Sequence, residues 1–129
     1  MKNPVGWFEI YVNTMARARR FYETVLDVTL APLDSGDINS DQADLSMMLF
    51  PSDDNATGCS GALVRAPGVE PGHNSVMVYF SCDDCAVEGA RVTQAGGELV
   101  RQKMAIGEYG FIVLAKDSEG NMFGLHSKK

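Results

Sequence analysis

Two segments of the chain read alike. Val12-Asn13-Thr14-Met15-Ala16 closes an alternating strand and opens a helix, and Cys82-Asp83-Asp84-Cys85-Ala86 does the same seventy residues later. The first helix runs out at Val25-Leu26-Asp27 and the second at Ala95-Gly96-Gly97. A repeat of this kind predicts two copies of one βαβββ module. The modules fall at about 5–66 and 74–128, with a Pro- and Gly-rich linker at 67–73, inside one domain spanning 1–129. Two facing modules enclose a groove, and grooves are where small molecules bind.

A chain of 129 residues suits one domain, long enough to bury roughly two-thirds of its unfolded surface. Its 45% hydrophobic and 22% charged residues are those of an ordinary globule. The net charge of −6 opposes a nucleic-acid partner, whose phosphates it would repel. The one basic cluster, Arg17, Arg19 and Arg20, reads as a solvated helix face. No apolar run approaches the roughly 18 residues that span a bilayer, so no membrane partner is expected. Met1-Lys2-Asn3-Pro4 leads directly toward the first strand, which predicts no signal peptide. Three cysteines, an odd count, predict reduced thiols and a cytoplasmic location. The sequon Asn55-Ala56-Thr57 is then without consequence.

Trp7 to Val12 alternates, and a helix follows in which Met15, Ala18, Phe21, Tyr22, Val25 and Leu26 recur at helical spacing. Asn13 or Thr14 is placed to cap it. Strands are predicted at Thr29–Leu33, weakened by Pro32, at Leu45–Phe50 and at Gly61–Arg65, with a polar loop at Asp34–Asp44. The second module repeats the order. It has a strand at Ser75–Cys82 and a helix capped by Asp83 or Asp84 with a thinner stripe of Cys85, Gly89, Val92 and Ala95. Strands follow at Glu98–Lys103, Phe111–Ala115 and Met122–His126, the last two joined by the turn Asp117–Asn121.

Alternation sorts the faces. Phe8, Ile10, Val12, Val76, Val78, Phe80, Phe123 and Leu125 are apolar and predict the face that packs against the helices. The opposite face carries Trp7, Glu9, Tyr11, Met77, Tyr79, Met122, Gly124 and His126. A face that mixes aromatics, thioethers, a carboxylate and an imidazole suits a ligand groove, or else a dimer surface, which favours the same types.

Phe8-Glu9-Ile10-Tyr11-Val12, Ala18-Arg19-Arg20-Phe21-Tyr22-Glu23, Ala95-Gly96-Gly97, Asp117-Ser118-Glu119-Gly120-Asn121 and Gly124-Leu125-His126-Ser127 carry a resemblance over essentially the whole chain. Together they resemble the vicinal oxygen chelate superfamily, the glyoxalase, bleomycin-resistance and extradiol-dioxygenase group, and within it small bacterial glyoxalase-like proteins. The resemblance implies an α+β fold of two tandem βαβββ modules, a U-shaped mixed sheet with helices on its outer face, and a homodimer. It also implies metal-ligand positions at Trp7, Met77, Gly124 and within 59–62. Indole and glycine offer no lone pair, and a thioether is too soft for ions that work on oxygen substrates.

Glu9 and His126 each stand two residues past such a position, on the same face and about 6.6 Å further along their strands. Three readings of the pair stay open. They act as a metal-free acid–base or substrate-orienting pair, with Tyr79 as hydroxyl donor. They bind a divalent ion (Zn, Ni, Mn or Fe), for which two ligands are thin. Or they form a structural ion pair. The function follows the same division. A small-molecule groove lined by Trp7, Tyr11, Met77 and Met122 is the preferred reading. A metal-dependent lyase, isomerase or dioxygenase, and a resistance-type protein that sequesters its ligand, are the alternatives. The remaining motifs are set aside. Cys82-Asp83-Asp84-Cys85 has acidic residues that disfavour thiolate, His73 lies in the linker, and Asp53-Asp54-Asn55 lacks a calcium-loop pattern.

Overall fold

The structure, a computed structural model, describes residues 5, 7–33, 45–73 and 76–129. The predicted loop at Asp34–Asp44, the segment Met1–Pro4 and the strand start at Ser75 lie outside the described residues. Strand β1 (Phe8–Tyr11) leads into helix α1 (Met15–Leu26), then β2 (Ala31–Pro32), β3 (Ser46–Leu49) and β4 (Gly61–Arg65). Strand β5 (Tyr79–Ser81), helix α2 (Cys85–Gly89), β6 (Glu98–Ala105), a 3-10 turn at Gly107–Tyr109, β7 (Phe111–Lys116) and β8 (Met122–Ser127) repeat that order.

The strands form two four-stranded mixed sheets, ordered β1-β4-β3-β2 and β5-β8-β7-β6. In each, the first strand runs parallel to the last and the other pairings are antiparallel. The fold is therefore the expected α+β duplication, with the single U-shaped sheet of the sequence reading resolved into two equivalent halves. The halves share one core. The Phe8 and Phe80 rings of edge strands β1 and β5 meet at 5.7 Å. Phe21 and Tyr22 of α1 reach Phe123 of β8 at 5.9 and 5.7 Å. Edge-to-face packing of this kind adds about 0.5–1.5 kcal/mol per pair beyond burial.

Helix α1 buries Ala18, Phe21, Tyr22 and Val25, the stripe its spacing predicts. Asp27 ends it in the left-handed region, φ 54°, a conformation aspartate tolerates better than most residues. The start of α1 differs from expectation. Thr14 is the N-cap, but its side chain makes no capping bond. The Glu119 carboxylate accepts from the backbone N–H of Asn13 and of Thr14, each at 2.9 Å, and pairs with Arg17. Arg17 is therefore not simply solvated. It faces a carboxylate whose side chain is fully buried.

Three further expectations are corrected. The second helix was predicted to run to Ala95, but α2 ends at Gly89 and turns fill the rest. Gly89 packs so closely that a Cβ would stand 3.3 Å from Val113, and glycine is a poor helix residue. Strand β5 begins only at Tyr79, so Val76, predicted to join the core, is 70% exposed. The chain there is still leaving the linker, where Gly72 N–H is held by Asn121 at 2.7 Å. The strand near Pro32 shrinks to two residues because proline cannot extend a ladder.

Candidate ligand groove

Alternation along β1 puts Trp7, Glu9 and Tyr11 on one face, and their hydrogen bonds bring them together. The Tyr11 phenol donates to Glu9 Oε1 at 2.8 Å, and the Trp7 indole N–H donates to Glu9 Oε2 at 3.3 Å. Glu9 remains exposed. The hydrogen bond to Glu9, then burial, then the carboxylate's charge raise the Tyr11 phenol above its ordinary pKa. The phenol thus stays a donor across the physiological range.

Glu9 and Tyr11 line a cavity of about 170 Å³ between the two halves of the molecule. Met122 of β8 and Val76 and Val78 ahead of β5 line it from the second half, with the linker residues Val69 to Gly72 over it. The sequence reading missed the linker contribution and Asn121. The linker offers only the composition of a connector. Asn121 sits in a turn where asparagine is expected for local reasons. In fact its side-chain amide donates to Tyr11 O at 2.9 Å, and its carbonyl receives Gly72 N–H. One residue ties β1 and the linker to the final hairpin. Trp7 also borders a hollow of about 650 Å³ against the Pro51–Ser60 loop. The loop residues there are almost all exposed, so this larger space is surface relief without buried walls.

The second sheet carries the other predicted residues. His126 Nε2 lies 2.7 Å from the carbonyl of Tyr109. A carbonyl only accepts, so Nε2 is the donor in this contact. His126 does not line the cavity beside Glu9. No ion pair joins the two among the described residues. The structural ion pair is therefore not formed. Tyr79 and Met77 are exposed, and Tyr79 stands opposite Gly124 in the β5–β8 register.

The donor set does not fit a divalent metal. The positions implied by the resemblance hold an indole at 7, a thioether at 77 and no side chain at 124. The space above Gly124 is taken by the Tyr79 ring. Among the described residues no three His, Cys, Asp or Glu side chains gather to hold an ion. The Cys82–Cys85 pair forms no disulfide. Burial, then the Glu88 carboxylate and Cys85, push the Cys82 thiol up to about 12, which removes the thiolate that redox chemistry needs.

Residues 5–125 match the family described as the Glyoxalase/Bleomycin resistance protein/Dioxygenase superfamily. No curated protein matches the chain. Among solved structures, a mutant glyoxalase I from Zea mays superposes with a TM-score of 0.73 at 21% identity, covering 97% of this chain and 47% of the maize chain. The chain thus spans about half the length of the maize enzyme. A glyoxylase/bleomycin resistance protein/dioxygenase domain from Frankia sp. gives 0.69 at 15% identity, covering 100% of both chains. An antibiotic binding protein from a Streptomyces species gives 0.66 at 20% identity, covering 98% of this chain and 97% of that one. At these identities the likeness is one of fold. No helix among the described residues is long and apolar enough to cross a membrane.

Proposed function

The chain belongs to the glyoxalase/bleomycin resistance protein/dioxygenase superfamily, and from that premise we propose that it binds a small, partly aromatic molecule on the sheet face away from its helices, without a divalent metal. The observation that carries this reading is Glu9. Its carboxylate is held by two neutral donors, Tyr11 and Trp7, at the edge of the cavity between the halves. Neutral donors orient the group and leave its charge for a ligand's N–H, O–H or cation. Tyr11 and Met122 line that cavity, and Trp7 and Met77, both exposed and outside it, extend the apolar surface along the open sheet face in this reading, the composition small-molecule sites favour. His126 and the Tyr79 hydroxyl are the polar groups of the second sheet in this reading. The Streptomyces neighbour, an antibiotic binding protein, lends the binding reading support.

The test combines metal content with ligand screening. Native, untagged protein is desalted without chelator and assayed by plasma mass spectrometry. A calorimetric screen is then run on the parent, Glu9→Gln and His126→Ala. The expected result is no stoichiometric metal, and a ligand whose affinity falls about tenfold or more in Glu9→Gln, the range of a lost charge-assisted hydrogen bond. The melting temperature should hold, because Glu9 is exposed. One equivalent of metal, lost in both variants, would overturn the proposal in favour of a displaced Glu9/His126 metal site.

A further inference from the structure

Strands β5 and β8 run parallel with Tyr79 opposite Gly124. A Cβ on Gly124 would stand 2.2 Å from both Cδ1 and Cε1 of Tyr79, and 3.0 Å from Cγ. Two neighbouring ring carbons at equal distance, with Cγ close behind, put the glycine beneath the face of the ring. An edge-on approach would leave Cγ farther away. The ring therefore lies on the backbone of β8, and Gly124 is buried under it. Yet 48% of Tyr79 remains exposed. With one face resting on β8, that exposure falls to the remainder of the residue.

A phenol ring backed by a strand on one side and open on the other is a stacking platform. Aromatic faces favour planar partners in offset-stacked geometry, an advantage of roughly two- to tenfold in affinity beyond area alone. A saturated ligand of equal size gains the burial but not this term. We propose that Tyr79, seated on Gly124 on the open sheet face and outside the cavity beside Glu9, is the specificity-determining residue of that face, selecting a planar aromatic or conjugated small molecule by stacking. The inference rests on the groove reading above and adds the class of ligand to it. Gly124 is a positioning residue. It touches no ligand, but any side chain there drives the ring off the strand. The same contact explains why glycine occupies this position. The ring needs the room, so this site grips its ligand with a π-face where the resemblance implies a metal ligand.

The test uses two probes with one skeleton and one hydroxyl, naphthol and its fully saturated counterpart decahydronaphthol. Affinities are measured by calorimetry on the full chain and on Tyr79→Leu, Tyr79→Phe, Gly124→Ala and the double variant Tyr79→Leu/Gly124→Ala. The parent should prefer naphthol beyond the preference of Tyr79→Leu by roughly two- to tenfold. Tyr79→Phe should keep the preference. Gly124→Ala should lose it, and the double variant should lose no more than either single, because both act through one ring. Melting curves report whether each variant folds, and Tyr79→Leu decides the matter if Gly124→Ala does not. Equal binding of the two probes by the parent, or a preference that survives Tyr79→Leu, overturns the inference and leaves the groove reading in place. No binding of either probe overturns the inference, and an empty wider screen overturns the groove reading with it.

Discussion

The Tyr22 phenol donates to the Asp117 carboxylate at 2.6 Å, across 95 positions of sequence and from one half of the molecule to the other. Both residues are buried. Asp117 also accepts from the backbone N–H of Glu119 and of Asn121 at 2.8 and 2.9 Å, and from the Asn121 side chain at 3.2 Å. The final hairpin is thereby folded around its own aspartate. Glu119 then reaches the start of α1, and Asn121 reaches β1 and the linker. A turn that reads as local chemistry is the polar joint between the halves. Its placement beside the cavity makes it a wall of the candidate site.

Replacing Tyr22 by phenylalanine tests that joint. The ring packing survives, while a buried carboxylate loses one of its four donors. A hydrogen bond to a charged acceptor is worth about 1.5–3 kcal/mol, and the remaining donors soften the loss. Tyr22→Phe should destabilise the protein by about 1–2 kcal/mol in urea unfolding, with an unchanged slope. A difference within error would mean that the phenol contributes packing alone.

Glu119 gives the joint a pH dependence. Burial by itself pushes its carboxyl up, but Arg17 and the N–H groups of Thr14 and Asn13 outweigh it and hold the group below the ordinary glutamate value. A folded pKa below the unfolded one gives stability that is present above the unfolded value. That stability is lost as pH falls through the folded value. The unfolded value is about 4.3. Glu119→Gln should cost about 1–2 kcal/mol at neutral pH, the range of a lost helix cap. The gap between parent and variant should narrow as pH drops below about 4.3. Urea unfolding at stepped pH measures it. A constant gap across that window would exclude Glu119 as the titrating group.

The cysteines should separate by accessibility. Cys59 is exposed, Cys85 is buried, and the Cys82 thiol is pushed up to about 12. Thiolate is the species that alkylates. Iodoacetamide at neutral pH should therefore label Cys59 first, with Cys82 and Cys85 labelled only on unfolding, as peptide mass spectrometry would record. Labelling of Cys82 at the rate of Cys59 would reopen a redox reading of the pair.

Much of the fold was legible because it is periodic. The repeat at Val12 and Cys82 announces the duplication, and β4 at Gly61–Arg65 coincides with its predicted span. What alternation assigns is a face, not a lateral position. Glu9 and His126 share a face type but belong to different sheets, so their separation could not be read. Val76 continues an alternating run, but only pairing to a neighbour turns such a run into a strand. Glu119 as the cap of α1 was invisible for the same reason. Its partners Asn13 and Thr14 stand more than a hundred positions away. The Tyr79–Gly124 contact depends on the register of two strands that no local pattern encodes.

The hold of Glu9 on Tyr11 can be read without knowing the ligand. The hydrogen bond to Glu9 is the largest cause of the raised Tyr11 pKa, followed by burial and by the carboxylate's charge. Glu9→Gln removes the charge and weakens the acceptor, leaving burial and a weaker hydrogen bond. The Tyr11 phenol should then ionise at lower pH, closer to the ordinary value of about 10. The titration is followed by NMR of ring-labelled tyrosine, assigned with Tyr11→Phe. An unmoved Tyr11 would show that the carboxylate is not fixed by its neighbours. Glu9 would then be an ordinary solvated side chain, and the proposed binding reading would lose its polar anchor.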